Sequence, residues 1–357
     1  MEIIDVDLGE RSYNIMIGDG LIDEVGHLVK RQFPGRKIMI ITDDNVYKLY
    51  AGRVAAGLEN AGYKVYVERV PAGESSKSLA MAQTIYDAAL DHRLDRSSAI
   101  LALGGGVVGD LAGFIAATYM RGIGYIQVPT TLLAQVDSSV GGKVAVNLPR
   151  AKNIVGAFYQ PSLVIIDTSV LLSLPDREFK EGLAEIIKYG IIKDADFFRW
   201  LEQNINGLRC NTDNLVYSIK RSCEIKAEIV SKDETERGLR RILNYGHTIG
   251  HALEAAFGYG TLLHGEAVAL GMIFEAKLAL SRRLIDERTF FRIEGLIKSA
   301  VPAIMPHEPD LGRIIESMSL DKKNLDDKIV FILPEKLGST GVYSDITVDE
   351  ILNAVIL

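Results

Sequence analysis

The segment Asn244-Tyr245-Gly246-His247-Thr248-Ile249-Gly250-His251 sets two imidazoles at i and i+4, a spacing that one face of a helix presents together. Such a pair can bind one metal ion. His264 follows in Leu263-His264-Gly265-Glu266, so three of the six histidines fall close together. The glycines and tyrosine beside them leave room where a core would be filled. Nitrogen and carboxylate donors with no cysteine nearby suit zinc or cobalt with one coordination position open. Spacing alone leaves open which of the three histidines bind.

A second set of residues points to a phosphate-bearing ligand. Ala99-Ile100-Leu101-Ala102-Leu103 reads as a strand, and Gly104, Gly106 and Gly109 follow as G-x-G-x-x-G at the start of a helix-like segment that includes Gly105 and Asp110. Glycine lets the backbone approach a pyrophosphate, and a helix start offers free N–H groups to its charge. The fingerprint is not in the first strand–helix turn, and no acidic residue stands at the usual distance after it. Asp43 or Asp44, at an earlier strand end, could take the ribose instead, although Asp43 is equally a plain turn residue. Gly73-Glu74-Ser75-Ser76-Lys77 reads as a helix cap, with Ser75 or Ser76 capping.

Glu185 and Lys188 stand at i, i+3, which in isolation describes a surface ion pair. Lys143, Lys152, Lys188, Lys226, Arg240, Lys322 and Lys323 add cations. Each alone is an ordinary solvated charge, but Lys143 and Lys152 sit among small and apolar residues. Together they suit a phosphorylated, carboxylated substrate.

The elements that must position these residues follow from patterning. Val6-Asp7-Leu8 and Tyr13–Ile17 suggest a hairpin around Gly9-Glu10-Arg11. Strands are predicted at Lys37–Asp43, Tyr63–Val70, Ala99–Leu103, Ile123–Val128 and Leu163–Ile166. Helices are predicted at about 45–61 and 78–91. This alternation predicts a Rossmann-like α/β domain with a parallel sheet covered on both faces, and ligands at the carboxyl ends of the strands. Asp43, Gly104–Gly106, Thr130 and Thr131 all fall at such ends. Beyond Leu174-Pro175 the sequence becomes almost entirely helix-compatible up to about residue 300, then shows one strand at 328–333 and a closing helix from about Val348. The expected domains are 1–174, α/β, and 175–357, mostly α-helical.

The 357 residues, 48% hydrophobic and 24% charged, can fill two such cores. A net charge of −7 argues against nucleic acid as the main partner. Cys210 and Cys223 make no disulfide framework and read as buried or partly buried thiols. The opening Met1-Glu2-Ile3-Ile4-Asp5 has no signal-peptide character, and no apolar run spans a bilayer, so a cytoplasmic protein without membrane contact is expected.

Longer strings carry a resemblance. Gly104-Gly105-Gly106-Val107-Val108-Gly109-Asp110, Gln127-Val128-Pro129-Thr130-Thr131-Leu132-Leu133 and Val136-Asp137-Ser138-Ser139-Val140-Gly141-Gly142-Lys143 occur in order. Lys152-Asn153-Ile154-Val155-Gly156-Ala157-Phe158-Tyr159-Gln160-Pro161, Gly182-Leu183-Ala184-Glu185-Ile186-Ile187-Lys188-Tyr189-Gly190 and the histidine segment continue the series. Along essentially its whole length the chain resembles the 3-dehydroquinate synthase family of sugar phosphate cyclases, with small departures such as Val144 in place of an expected Thr. The resemblance implies an NAD-binding α/β domain, a mostly helical second domain and an active site in the cleft between them. It implies Glu185, His247 and His264 as ligands of one divalent metal, zinc or cobalt, and makes His251 a proton-handling residue. Asp137, Lys143, Asn153, Lys188, Lys226, Arg240, Asn244 and one of Lys322 and Lys323 match substrate-site positions. Asp43, Asn45, Glu74, Lys77, Gly104, Gly105, Gly106, Gly109, Asp110, Thr130, Thr131, Lys143 and Lys152 match the NAD site. Arg121 matches an arginine donated by the neighbouring subunit, which implies a homodimer. The implied reaction turns 3-deoxy-D-arabino-heptulosonate 7-phosphate into 3-dehydroquinate and phosphate, with transient oxidation by NAD.

Three rivals share parts of this pattern. A metal-dependent polyol dehydrogenase of the glycerol dehydrogenase type would use the same glycine turn and histidine spacing but release NADH, and the lysine set disfavours it. Another cyclase, making an inosose or a valiolone, is disfavoured by Gly141-Gly142-Lys143 and the 152–161 string. An NAD-binding regulatory module without catalysis would lack a ligand or a lysine.

Overall fold

In the computed structural model the described residues are 1–258, 260–302, 304–306, 310–319 and 329–355. The chain forms two compact units: Met1–Leu174 with Leu215–Glu234, and Pro175–Asn214 with Thr235–Leu357. A single boundary after residue 174 is the sequence expectation; the structure gives the helical stretch Leu215–Glu234 to the first unit as well.

The first unit opens with β1 (Glu2–Val6) and β2 (Tyr13–Gly18), paired antiparallel across the turn Gly9–Arg11. Strand and helix then alternate through α1 (Val25–Gln32), β3 (Lys37–Asp43), α2 (Asp44–Val46), α3 (Gly52–Asn60), β4 (Lys64–Val70), α4 (Leu79–Asp91), β5 (Ala99–Gly104), α5 (Gly106–Thr118) and β6 (Gly124–Pro129). β7 (Lys143–Leu148) and β8 (Ala151–Phe158) form a separate antiparallel hairpin, absent from the sequence expectation, before β9 (Leu163–Asp167) rejoins the sheet. The sheet order is β1-β2-β9-β6-β5-β3-β4, parallel except at β1–β2.

The strands are apolar on both faces because helices cover both. Ile38, Ile40, Leu101 and Leu103 pack with Val25, Leu28 and Val54 from α1 and α3. Their neighbours Met39, Ile41, Ile100 and Ala102 point the other way, against Ala82, Ile85, Leu111 and Ile115 from α4 and α5. Alternation of side chains along each strand thus builds two cores from one continuous apolar run. The carboxyl ends of these strands, Asp43, Gly104, Pro129 and Asp167, finish the parallel run together.

The second unit holds α6 (Asp176–Ile192), α7 (Ala195–Asn204) and the start of α8 (Thr212–Lys232). It continues with α9 (His247–Phe257), α10 (His264–Ser281), α11 (Glu287–Ala300), α12 (Leu311–Ser319), β10 (Phe331–Lys336), β11 (Ser339–Tyr343) and α13 (Val348–Val355). The strand expected at 328–333 is β10, shifted toward the C-terminus, and its antiparallel partner β11 is an addition. α10 is buried on nearly every side, as the central helix of a bundle must be. α9 lies so close to it that a Cβ added to Gly271 would stand 1.9 Å from the Gly246 carbonyl oxygen.

α13 is fixed by a capping box written in the sequence as Thr347-Val348-Asp349-Glu350. The Glu350 N–H donates to Thr347 Oγ1 at 3.3 Å, and the Thr347 N–H donates to Glu350 Oε2 at 2.8 Å. Arg282 at the end of α10 forks onto Glu350 at 2.7 and 3.0 Å. That guanidinium, with the Thr347 N–H, pulls the Glu350 carboxyl down to about 2 from 4.5. A depressed carboxylate contributes stability above its unfolded pKa and loses it as pH falls toward the folded one. Glu350→Gln is therefore expected to destabilise the protein by about 1–2 kcal/mol at neutral pH. Denaturant titrations of both proteins should show the gap closing between pH 4.5 and 2.

Candidate metal centre and cofactor-binding residues

Three helices of the second unit carry the three residues expected to bind a metal. Glu185 comes from the middle of α6, His247 is the first residue of α9, and His264 is the first residue of α10. One ligand atom from each lies within 4.8 Å of the others. His247 Nδ1 lies 3.2 Å from the Tyr245 carbonyl oxygen, which fixes that nitrogen as the donor and leaves Nε2 3.6 Å from Glu185 Oε1. His251, Glu254 and His264 form a second group whose ligand atoms also lie within 4.8 Å of one another, with His264 Nδ1 3.6 Å from Glu254 Oε2. The three rings lie close, with centroids 5.3 to 5.8 Å apart.

Glu185 is wholly buried, and both of its carboxylate oxygens lack a hydrogen-bond partner among the described residues. Lys188, 1% exposed, is in ion-pair contact with it, a meeting of charges without a directed hydrogen bond. The i, i+3 pair is thus buried and not the surface pair that the spacing describes in isolation. Desolvation pulls the His264 pKa down, but Glu254, Glu185 and Glu181 outweigh it and hold the imidazole above its ordinary value. Together these carboxylates favour positive charge on the His264 ring.

Near this set, Arg240 is buried in the turn Leu239–Asn244, and Asn244 Nδ2 donates to Glu236 Oε1 at 2.6 Å. Lys322 and Lys323 lie outside the described residues.

The first unit carries the remaining predicted residues. Lys77, buried, reaches both Asp110 and Asn153 with its ammonium group. Lys226, buried on α8, donates to Asp137 Oδ1 at 2.7 Å. Lys143 is exposed and Lys152 half-buried on the β7–β8 hairpin. Asn147 ties that hairpin to the 74–77 turn. Its Nδ2 donates to Glu74 Oε1 at 2.7 Å, its N–H to the Lys77 carbonyl at 2.8 Å, and its Oδ1 accepts from the Asn153 N–H at 2.9 Å. Ser78, not Ser75 or Ser76, caps α4.

At the strand ends, Asp43 accepts the N–H groups of Asn45 and Val46 and so caps α2. Gly105, the N-cap of α5, brings no side-chain acceptor, leaving the helix start open to an anion. A Cβ on Gly104 would stand 2.7 Å from the Val108 side chain, and one on Gly105 would stand 3.0 Å from Thr131. Thr130 Oγ1 is buried without a partner, whereas Thr131 Oγ1 accepts the Ala134 N–H at 3.1 Å. Gly109 faces Gln127.

Two predicted residues stand in left-handed backbone although neither is glycine: Arg121 at φ 68°, preceded by Met120 at φ 51°, and Asn153 at φ 55°. Such strain persists where the surroundings impose it, and it gathers at functional positions. Arg121 is exposed.

Sequence reasoning passed over Arg177, Glu181, Glu254, Glu266 and Asn147. Glu254 was available on the same helical face, three residues after His251 and seven after His247. Arg177 and Glu181 precede Glu185 by eight and four. Cys223 donates to the Gln135 carbonyl at 3.3 Å and burial pushes its thiol to about 12, while Cys210 is exposed at the end of a 3-10 turn, against expectation.

Among the described residues no helix is long and apolar enough to cross a membrane. Residues 67–181 match the family described as 3-dehydroquinate synthase N-terminal, and residues 182–324 match 3-dehydroquinate synthase C-terminal. A relative from Desulforamulus reducens, named 3-dehydroquinate synthase, is 53% identical over 354 residues, 99% of each chain. The solved structure of 2-deoxy-scyllo-inosose synthase with carbaglucose-6-phosphate, NAD+ and Co2+ is 30% identical, with a TM-score of 0.90 over 99% of each chain. The 2-epi-5-epi-valiolone synthase ValA from Streptomyces hygroscopicus subsp. jinggangensis, with NAD+ and Zn2+, is 29% identical, with a TM-score of 0.90 over 98% of this chain and 97% of that one. This chain belongs to the 3-dehydroquinate synthase family.

Proposed function

We infer that this protein is an NAD- and metal-dependent carbon–oxygen lyase that converts 3-deoxy-D-arabino-heptulosonate 7-phosphate to 3-dehydroquinate and phosphate without net redox. The observation that carries the reading is Glu185: a buried carboxylate with two unbonded oxygens, set against His247 and His264 in a chain 53% identical to a 3-dehydroquinate synthase. The lower identities to the inosose and valiolone cyclases, 30% and 29%, favour dehydroquinate as product.

The donor set fits a divalent ion, since a carboxylate and two imidazoles leave a position open for substrate. The Gly104–Gly106 turn, the uncapped start of α5 and the unpartnered Thr130 hydroxyl fit a dinucleotide. When bound, the ion would polarise a substrate hydroxyl and NAD would accept and later return a hydride. Glu185, His247 and His264 would hold the ion. Lys188, in ion-pair contact with Glu185, would be available to an anionic substrate once Glu185 serves as a ligand. Lys143, Lys226 and Arg240 bind phosphate and carboxylate, with Asp137 orienting Lys226. His251 relays protons, and Asn153, Asn244 and one of Lys322 and Lys323 position the substrate. Asp43, Asn45, Glu74, Lys77, Asp110, Thr131, Lys143 and Lys152 complete the cofactor's surroundings. The reading includes a cytoplasmic homodimer in which the exposed, strained Arg121 serves the neighbouring active site.

Incubated with the heptulosonate phosphate, trace NAD and Zn2+, the protein is expected to release many phosphates per NAD with no build-up of NADH. Stoichiometric NADH from glycerol would instead establish a polyol dehydrogenase. His251→Ala is expected to keep its metal, by elemental analysis, and to lose about 100- to 10,000-fold in kcat; near-normal turnover refutes the proton-relay role. Glu185→Gln is expected to lose the metal itself, and chelated wild type should regain activity with Zn2+ or Co2+.

A further inference from the structure

Arg177, Glu181 and Glu185 stand at i, i+4 and i+8, so one face of α6 carries all three. Glu266, Gly265 and His264 run the opposite way at the start of α10, and the two series meet rung by rung. On the first rung Arg177 donates through Nε to Glu266 Oε1 at 2.7 Å and through Nη2 to Oε2 at 2.8 Å, a two-pronged pair. On the second, the Gly265 N–H donates to Glu181 Oε1 at 3.2 Å. The backbones touch there: a Cβ on Gly265 would stand 2.3 Å from the Glu181 carbonyl oxygen. The third rung is Glu185 with His264, two members of the metal set. Glu266 Oε2 also accepts the Leu263 N–H at 3.0 Å, so the carboxylate that Arg177 grips also holds the residue preceding His264.

His264 has two possible destinations, because it also belongs to the group with His251 and Glu254. We propose that Arg177 and Glu266 are positioning residues that set the separation of Glu185 from His264 and thereby the affinity of the site for a divalent ion. This rests on the metal reading above. A plain helix–helix staple would add stability to the metal-free protein and leave metal affinity unchanged. A positioning pair changes affinity even where stability is kept.

The test uses the full chain, stripped with chelator and titrated with Co2+, following both the dissociation constant and the visible absorption of the bound ion. Arg177→Ala is expected to weaken Co2+ binding by about 10- to 100-fold and to alter the spectrum, as loss of an outer-shell partner does. Arg177→Lys keeps the charge without the fork, and should recover part of the affinity. Thermal melts of the stripped proteins serve as the folding control; should Arg177→Ala fail to fold, Arg177→Lys and Glu266→Gln decide by the same readout. Wild-type affinity and spectrum in the folded variants overturn the positioning role alone. Absence of Co2+ binding by the wild type overturns the metal reading and this inference with it.

Discussion

A carboxylate with no exposed surface dominates the second unit. Moving an isolated charge out of water is expensive, and it is tolerated where charge and donors compensate it. Among the described residues Glu185 has no hydrogen bond to either oxygen and meets the Lys188 ammonium as an ion pair. Its surroundings are therefore built around the need for positive charge at one point. Two imidazoles converge on it from two different helix starts, and Glu254 and Glu181 favour the charged form of one of them, His264. The glycine contacts between α9 and α10 serve the same end, because histidines on separate helices reach one atom only if the helix axes run close. Gly271 and Gly246 supply that closeness, and side chains there would separate the backbones.

The first unit solves a different problem with equal economy. Its sheet needs apolar residues on both faces, so the polar residues of interest stand at the strand ends, on the hairpin outside the sheet, in the 74–77 turn and on α8. Buried lysines there are matched with carboxylates: Lys77 with Asp110, and Lys226 with Asp137. At Asp110 burial outweighs the neighbouring ammonium and raises the carboxyl above its ordinary value. The strained backbone of Asn153 brings its side chain to the Lys77 ammonium from the hairpin side.

Much of this was legible in the sequence for a physical reason: the buried parallel strands are short continuous apolar runs with glycine or acidic punctuation, and few other structures use that pattern. The histidine segment was legible because helical spacing is local. The hairpin β7–β8 was not, since β8 is largely exposed and rich in small residues, so no alternation marks it. The burial of Glu185 and Lys188 was also hidden, because an i, i+3 pair is the same string on a surface and in a core. Arg177 and Glu266 are 89 positions apart. Their pairing belongs to helix packing, which no window along the chain contains. Asp43 shows the converse: the plain turn role open to it is real, as the cap of α2.

The discontinuity of the first unit bears on how the chain is made. A nascent chain that ends at residue 174 has every strand of the large sheet but lacks Leu215–Glu234, the stretch that carries Cys223 against Gln135 and Lys226 against Asp137. About sixty further residues must leave the ribosome before those contacts can close. Forty of them, Pro175–Asn214, belong to the other unit. Neither unit is thus a contiguous reading frame. A gene cut at the obvious composition change would encode a sheet domain missing one of its helices, and exchange of one unit between relatives requires three crossover points in place of one.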